Sequence, residues 1–131
     1  MIKPVGSDEL KPLFVYDPDQ HHRLMREAES LPSVVISSQA AGNAVMMGGG
    51  YFTPLKGFMN VADAMGACEK MRLTDGSFFP VPVMCLLEDV TAISGASRIA
   101  LRDPNMDGHP VLAVMDVEAI EEVSDEQMAF M

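Results

Sequence analysis

Basic residues are scarce in this sequence: nine lysines and arginines stand against 19 aspartates and glutamates, for a net charge of −10. A surface of that sign repels a phosphate backbone, so nucleic acid is not expected as a partner. Cysteine is scarcer still. Cys68 and Cys85 are the two present, and they form no Cys-x-x-Cys pair and no Cys/His ligand spacing, which leaves two buried, reduced thiols as the expected reading. Long apolar runs are also missing. No segment approaches the ~20 apolar residues of a membrane span, and the stretch from Met1 to Leu10 lacks the apolar centre of a signal peptide. The cytoplasm is the compartment this implies.

What is present suits one folded domain. Apolar residues make up 48% of the 131 residues and charged residues 21%, which is ordinary globular composition with enough chain for one hydrophobic core. Asp17-Pro18 reads as a capping aspartate followed by proline at the first helical position, with Leu24, Met25 and Ala28 on the inner face and Pro32 as the stop. Ser33 to Ser37 is a short β-branched run and reads as a buried strand. Ala40 to Met47 reads as a helix ended by Gly48-Gly49-Gly50, where the chain turns. Asn60 to Arg72 predicts a capped helix with Val61, Ala64, Met65, Cys68 and Met71 on one stripe.

Thr74-Asp75-Gly76 is a turn signal, and Phe79 to Leu87 reads as a strand confined to an edge or to its own beginning by Pro80 and Pro82. Ser97 to Arg102 and His109 to Val117 are strand candidates separated by the turn formers 103–108, and they are expected to pair as a hairpin with a long loop. Six acids and no base lie between Asp116 and Glu126, a solvated face, and Asp125 to Met131 reads as the first turns of a helix. The fold class expected is α+β.

Several patterns invite chemistry and do not sustain it. The three glycines could cradle a phosphate, but no Gly-Lys-Ser/Thr follows and they come after a helix, not a strand. His21 and His22 are neighbours on a helix, so their side chains diverge by about 100° and cannot share a metal as an i, i+4 pair does. His109 stands alone. No serine lies in a Gly-x-Ser-x-Gly elbow, and the acidic stretch lacks the order of a calcium loop. The twelve methionines, among them Met46, Met47, Met59, Met65, Met71, Met84 and Met115, read as flexible core filling.

One segment is more specific: Gly49-Gly50-Tyr51-Phe52-Thr53-Pro54-Leu55-Lys56-Gly57-Phe58-Met59-Asn60. It resembles the glycine, aromatic, Ser/Thr-Pro-Leu-x-Gly-Phe-Met signature near the start of ATP sulfurylases, the sulfate adenylyltransferases. Met71-Arg72-Leu73-Thr74-Asp75-Gly76, then Pro80-Val81-Pro82-Val83, then Ile99-Ala100-Leu101-Arg102-Asp103 leading through Gly108 to Leu112-Ala113-Val114, match in the same order. Phe79 stands where the family often has Trp.

The resemblance implies a PUA-like mixed β-barrel with flanking helices over residues 1–123, and over 124–131 the start of a linker or helix toward a catalytic domain. In the family that second domain carries Gln-x-Arg-Asn and His-x-x-His segments that hold ATP and sulfate, and neither segment occurs here. The resemblance therefore implies no catalytic, cofactor-binding or metal residue in this chain. Gly50, Phe52, Pro54, Leu55, Gly57, Phe58, Met59, Asp75, Gly76, Pro80 and Pro82 are expected to be structural. The partners implied are the catalytic domain of the same enzyme and further copies of it. The alternative is a free-standing PUA-like binding or regulatory module.

Overall fold

The computed structural model describes residues 7–131; Met1 to Gly6, the first part of the stretch without a signal-peptide centre, lie outside it. Helix α1 spans Pro18–Ser30 and is capped as the sequence predicts, the Asp17 carboxylate accepting from the amides of Asp19 and Gln20 with Pro18 in the first turn. Its buried contact is Ala28, while Met25 faces solvent. Strand β1 is Ser33–Val35 and helix α2 is Ser38–Gly48, with the Ser37 hydroxyl accepting from the amide of Ala40. Helix α3, Val61–Lys70, is capped by the Asn60 side chain on the amide of Asp63 and buries Ala64 and Ala67.

Strands β2, Arg98–Arg102, and β3, Val111–Asp116, form the expected antiparallel hairpin, with a bulge between Leu101 and Arg102. Strand β1 pairs parallel to β2, from Ser33 opposite Ala100 to Val35 opposite Arg102. The sheet order is therefore β1-β2-β3. Parallel pairing of β1 with β2 requires a crossover, and α2, α3 and the extended chain after them supply it. Ile99, Ala100 and Leu101 are all buried, the continuous apolar run expected of a central strand covered on both faces. Helix α1 lies against β3, and Arg98 Nε sits 3.1 Å from Glu27 of α1 and 3.7 Å from Asp116 of β3. Helix α4, Asp125–Phe130, closes the chain with a capping box between Ser124 and Gln127.

Phe79 to Leu87 is not a ladder strand. Pro80 and Pro82 have no amide proton to offer a neighbour, and the segment is held by single contacts. The Phe79 amide donates to the Met71 carbonyl at 2.9 Å, and the Val83 carbonyl accepts from the Met59 amide at 2.7 Å. The inward side chains still alternate in part: Phe79 and Val83 are buried and Cys85 and Leu87 half-buried, although Val81 is exposed. The period-2 pattern thus survives without the hydrogen bonding it usually accompanies.

Two cores result. The first joins Ile36, Ala40, Ala41, Ile93, Ile99 and Leu101; the second joins Met47, Phe79 and Val83, flanked by Phe52, Leu55, Met59 and Leu73. Half-buried Phe58 packs against both. Of the methionines expected inside, Met47 is buried and Met59, Met65, Met84 and Met115 are half-buried, whereas Met46 and Met71 are exposed. Neither cysteine is fully buried; both are free and half-buried.

Met71 fails as a core residue because it ends α3 in the left-handed conformation, φ 55° and ψ 34°, which carries its side chain outward. The chain then folds back so closely that a Cβ on Gly66 would stand 2.5 Å from the Arg72 carbonyl oxygen. Glycine at such a cap avoids the Cβ clash of αL, so Met71→Gly is expected to stabilise the chain by about 0.5–1 kcal/mol, read as a higher thermal midpoint; an unchanged or lower midpoint would contradict that. Phe58→Ala removes the side chain shared by both cores. Because Phe58 is half-buried, the expected loss is about 2–3 kcal/mol, below the 3–5 of a fully buried Phe, and a single unfolding transition should shift down by roughly 10 °C. Burial pushes the Cys85 thiol up to about 11 from its ordinary 9.0. At pH 8 the folded protein should therefore alkylate at Cys85 about a hundredfold more slowly than the denatured chain, measurable by peptide mass spectrometry.

Candidate functional site

The signature Gly49 to Asn60 begins where α2 runs out. The amides of Gly49, Gly50 and Tyr51 donate back to the carbonyls of Val45, Met47 and Met46 at 3.0–3.1 Å. They finish the helix and are not free to cradle an anion, which closes the phosphate-loop possibility. The Gly48 carbonyl accepts from the amides of Leu13 and Phe14, and the Phe14 ring lies over Gly48 where a Cβ would be. Gly50 has φ 83°, and a Cβ there would stand 3.2 Å from the Pro12 nitrogen. Glycine is required twice over, by the left-handed backbone and by the segment lying against it.

From Gly50 the chain turns on Thr53. Its hydroxyl donates to the Gly50 carbonyl at 2.7 Å and accepts from the Lys11 amide at 3.0 Å, fastening the N-terminal arm to the turn. The Thr53–Pro54 peptide is cis. The turn then delivers apolar anchors. Phe52 meets Phe79 edge to face with ring centres 6.0 Å apart, a favoured aromatic geometry. Leu55, Phe58 and Met59 line the second core. Gly57 is different: a Cβ there would touch nothing within 4 Å and its φ is not left-handed, so the fold itself does not demand glycine at this position.

The second motif locks onto the first through α3. The Asp63 carboxylate accepts from both the amide and the hydroxyl of Thr74 at 2.8 Å. Gly76 takes φ 90° in the turn. Asp75, at the surface, accepts from the Ser77 amide at 2.8 Å; that amide first, and the Ser77 hydroxyl second, hold its carboxyl below the usual aspartate value. Pro80 is exposed and Pro82 half-buried, on the segment that carries Phe79 and Val83 inward.

Of the eleven signature positions, Phe52, Leu55, Phe58 and Met59 pack against the second core, and Phe58 reaches the first as well. No charged or polar side chain among the described residues is fully buried. No group of three or more His, Cys, Asp or Glu among them could hold a metal. Among the described residues, Arg23 and Arg26 lie with His22 and Asp19 along a shallow outer face of α1, all exposed. The rings of His21 and His22 are 6.1 Å apart and steeply inclined, as their adjacent helical positions require. His109 adopts a left-handed φ of 46°, with its Nδ1 3.0 Å from the Asp103 carbonyl oxygen.

Sequence reasoning missed two features. One is the arm of residues 11–14 laid across the end of α2. The other is an apolar hollow of about 190 Å³ where Met84 and Leu86 of the extended segment meet Met128 and Met131 at α4.

Residues 2–130 match the family described as PUA-like domain. The chain is 73% identical, over its whole length, to a sulfate adenylyltransferase from Allochromatium vinosum and equally to one from a sulfur-oxidizing endosymbiont of Riftia pachyptila, covering 33% and 30% of their lengths. It is 59% identical to the Alcanivorax borkumensis protein of the same name over 128 residues. The chain thus spans about a third of the curated relatives it matches. Among solved structures, a hexameric APS kinase from Thiobacillus denitrificans matches with a TM-score of 0.75 at 30% identity, over 94% of this chain and 24% of that one. The chain belongs to the PUA-like domain family and matches the N-terminal portion of sulfate adenylyltransferases.

Proposed function

We propose that this chain acts as the non-catalytic N-terminal domain of a sulfate adenylyltransferase, an enzyme that joins ATP and sulfate to give adenylyl sulfate and diphosphate in a reversible step. The observation that carries this reading is the fate of the signature: Phe52, Leu55, Phe58 and Met59 are spent on packing, and the polar groups between them on the turn itself. Transfer of an adenylyl group needs positioned cations around developing phosphate charge. Here nine basic side chains stand against 19 acidic ones, and Arg23 and Arg26, which lie together on α1, are exposed. ATP and sulfate would be held by the catalytic domain of the same enzyme.

The domain's work is then to support folding and to meet that catalytic domain and other copies of the enzyme; the hexameric state named for the similar APS kinase supports the second part. No helix among the described residues is long and apolar enough to cross a membrane, and the cytoplasm is the compartment proposed. The net charge of −10 argues against RNA as a ligand of this PUA-like domain.

The purified 131-residue chain is expected to make no ATP from adenylyl sulfate and pyrophosphate in a coupled luminescence assay. Signal above that of a heat-killed control, retained after further purification, would overturn the assignment of chemistry to other parts of the enzyme.

A further inference from the structure

The sequence contains Asp-Gly twice in exposed turns, at Asp75-Gly76 and Asp107-Gly108. Asp-Gly is chemically vulnerable because glycine leaves the amide nitrogen unshielded toward the neighbouring carboxyl. From the two settings we infer that Asp107 is a site of spontaneous isomerisation to isoaspartate, and that the fold protects Asp75 from the same reaction.

The settings differ in what holds the reacting atoms. At the first site both partners are engaged: Asp75 Oδ1 accepts from the Ser77 amide at 2.8 Å, and the Gly76 amide donates to the Leu73 carbonyl at 3.0 Å. Arg72 Nη1 adds a bond to the Gly76 carbonyl at 2.9 Å, and Thr74 is tied to Asp63. Attack of the Gly76 nitrogen on the Asp75 carboxyl carbon works against the two bonds that hold the reacting groups, Asp75 to the Ser77 amide and the Gly76 amide to Leu73, and the other two stiffen the turn around them. The lowered pKa of Asp75 acts in the same direction, since the carboxylate is a poorer electrophile than the carboxylic acid.

At the second site none of these restraints exists. Asp107 and Gly108 lie in the exposed loop between β2 and β3, and no hydrogen bond engages the Asp107 carboxylate or the Gly108 amide. The turn is closed by the His109 amide on the Met106 carbonyl at 3.1 Å, which leaves the Asp107 side chain free to swing. A Cβ would touch nothing within 4 Å at either Gly76 or Gly108, so the two sites differ in hydrogen bonding and not in crowding.

The reaction balances with solvent alone. The Gly108 nitrogen forms a bond to Cγ of protonated Asp107, the Cγ–OH bond breaks, and one water leaves while the amide proton passes to solvent. Water then opens the resulting succinimide. Opening at the former backbone carbonyl routes the chain through the β-carboxyl, and the mass returns to its starting value with one methylene added to the backbone of the loop.

The test is incubation of the 131-residue chain at 37 °C and pH 6, with isoaspartate located by electron-transfer fragmentation of the peptides and quantified by methyl transfer from a protein-isoaspartate methyltransferase. IsoAsp107 should accumulate at least about tenfold faster than isoAsp75, the factor equivalent to one opened hydrogen bond. In 8 M urea the two rates should converge, and D107E should lose most of the methyl-accepting signal while keeping the wild-type thermal midpoint. Equal rates at the two sites in the folded chain, or a tenfold difference that persists in urea, would overturn the inference.

Discussion

Phe58 packs against Ile36, Ile99 and Leu101's cluster on one side and against that of Met47, Phe79 and Val83 on the other, and most of the remaining architecture serves to hold it there. The first cluster is built by the sheet and α2, whose pairing is close in structure but distant in sequence. The second is built almost wholly from irregular chain. Segments without a hydrogen-bonded ladder have no local means of fixing their position, so the extended run from Phe79 to Leu87 depends on what its side chains touch. Phe52 against Phe79, and the Met59–Val83 backbone bond, supply that contact from the signature turn.

The turn is in turn over-determined. Gly50 and Thr53 close on one another and on the N-terminal arm at Lys11 and Pro12, about 40 positions earlier, so a small polar set fixes the direction in which four apolar anchors leave the surface. A sequence signature of glycine, aromatics, proline and methionine commonly invites a search for a ligand. In this chain Phe52, Leu55, Phe58 and Met59 of that signature pack against the second core.

How much of this was legible in the sequence follows the range of the forces involved. Capping is local, and Asp17 and Asn60 mark the starts of α1 and α3 at the residues where the chain enters them, whereas Ser37, read as the end of a strand, caps α2. The β2–β3 hairpin was likewise readable, from apolar runs about a cluster of turn formers. Phe79 to Leu87 was misread as a strand because its pattern reports burial, whereas a strand also needs a partner, and Pro80 and Pro82 deny one. Met71 was misplaced because helical periodicity continues through the position where the backbone turns left-handed. The arm over Gly48 and the hollow beside Met128 join residues tens of positions apart, and no local pattern encodes such meetings. That Phe58 of the signature packs against both cores was not legible in the turn residues around it.

If Phe58 couples the cores, they must unfold as one. Native-state hydrogen exchange reads this directly at two amides: Ala100, which donates to the Pro32 carbonyl beside the first core, and Phe79, which donates to Met71 in the second. As denaturant rises, the opening free energies of both amides should merge into a single line with the slope of global unfolding. A Phe79 amide that keeps exchanging through its own smaller opening, with a shallow denaturant dependence while Ala100 follows global unfolding, would show two independent cores and contradict the account.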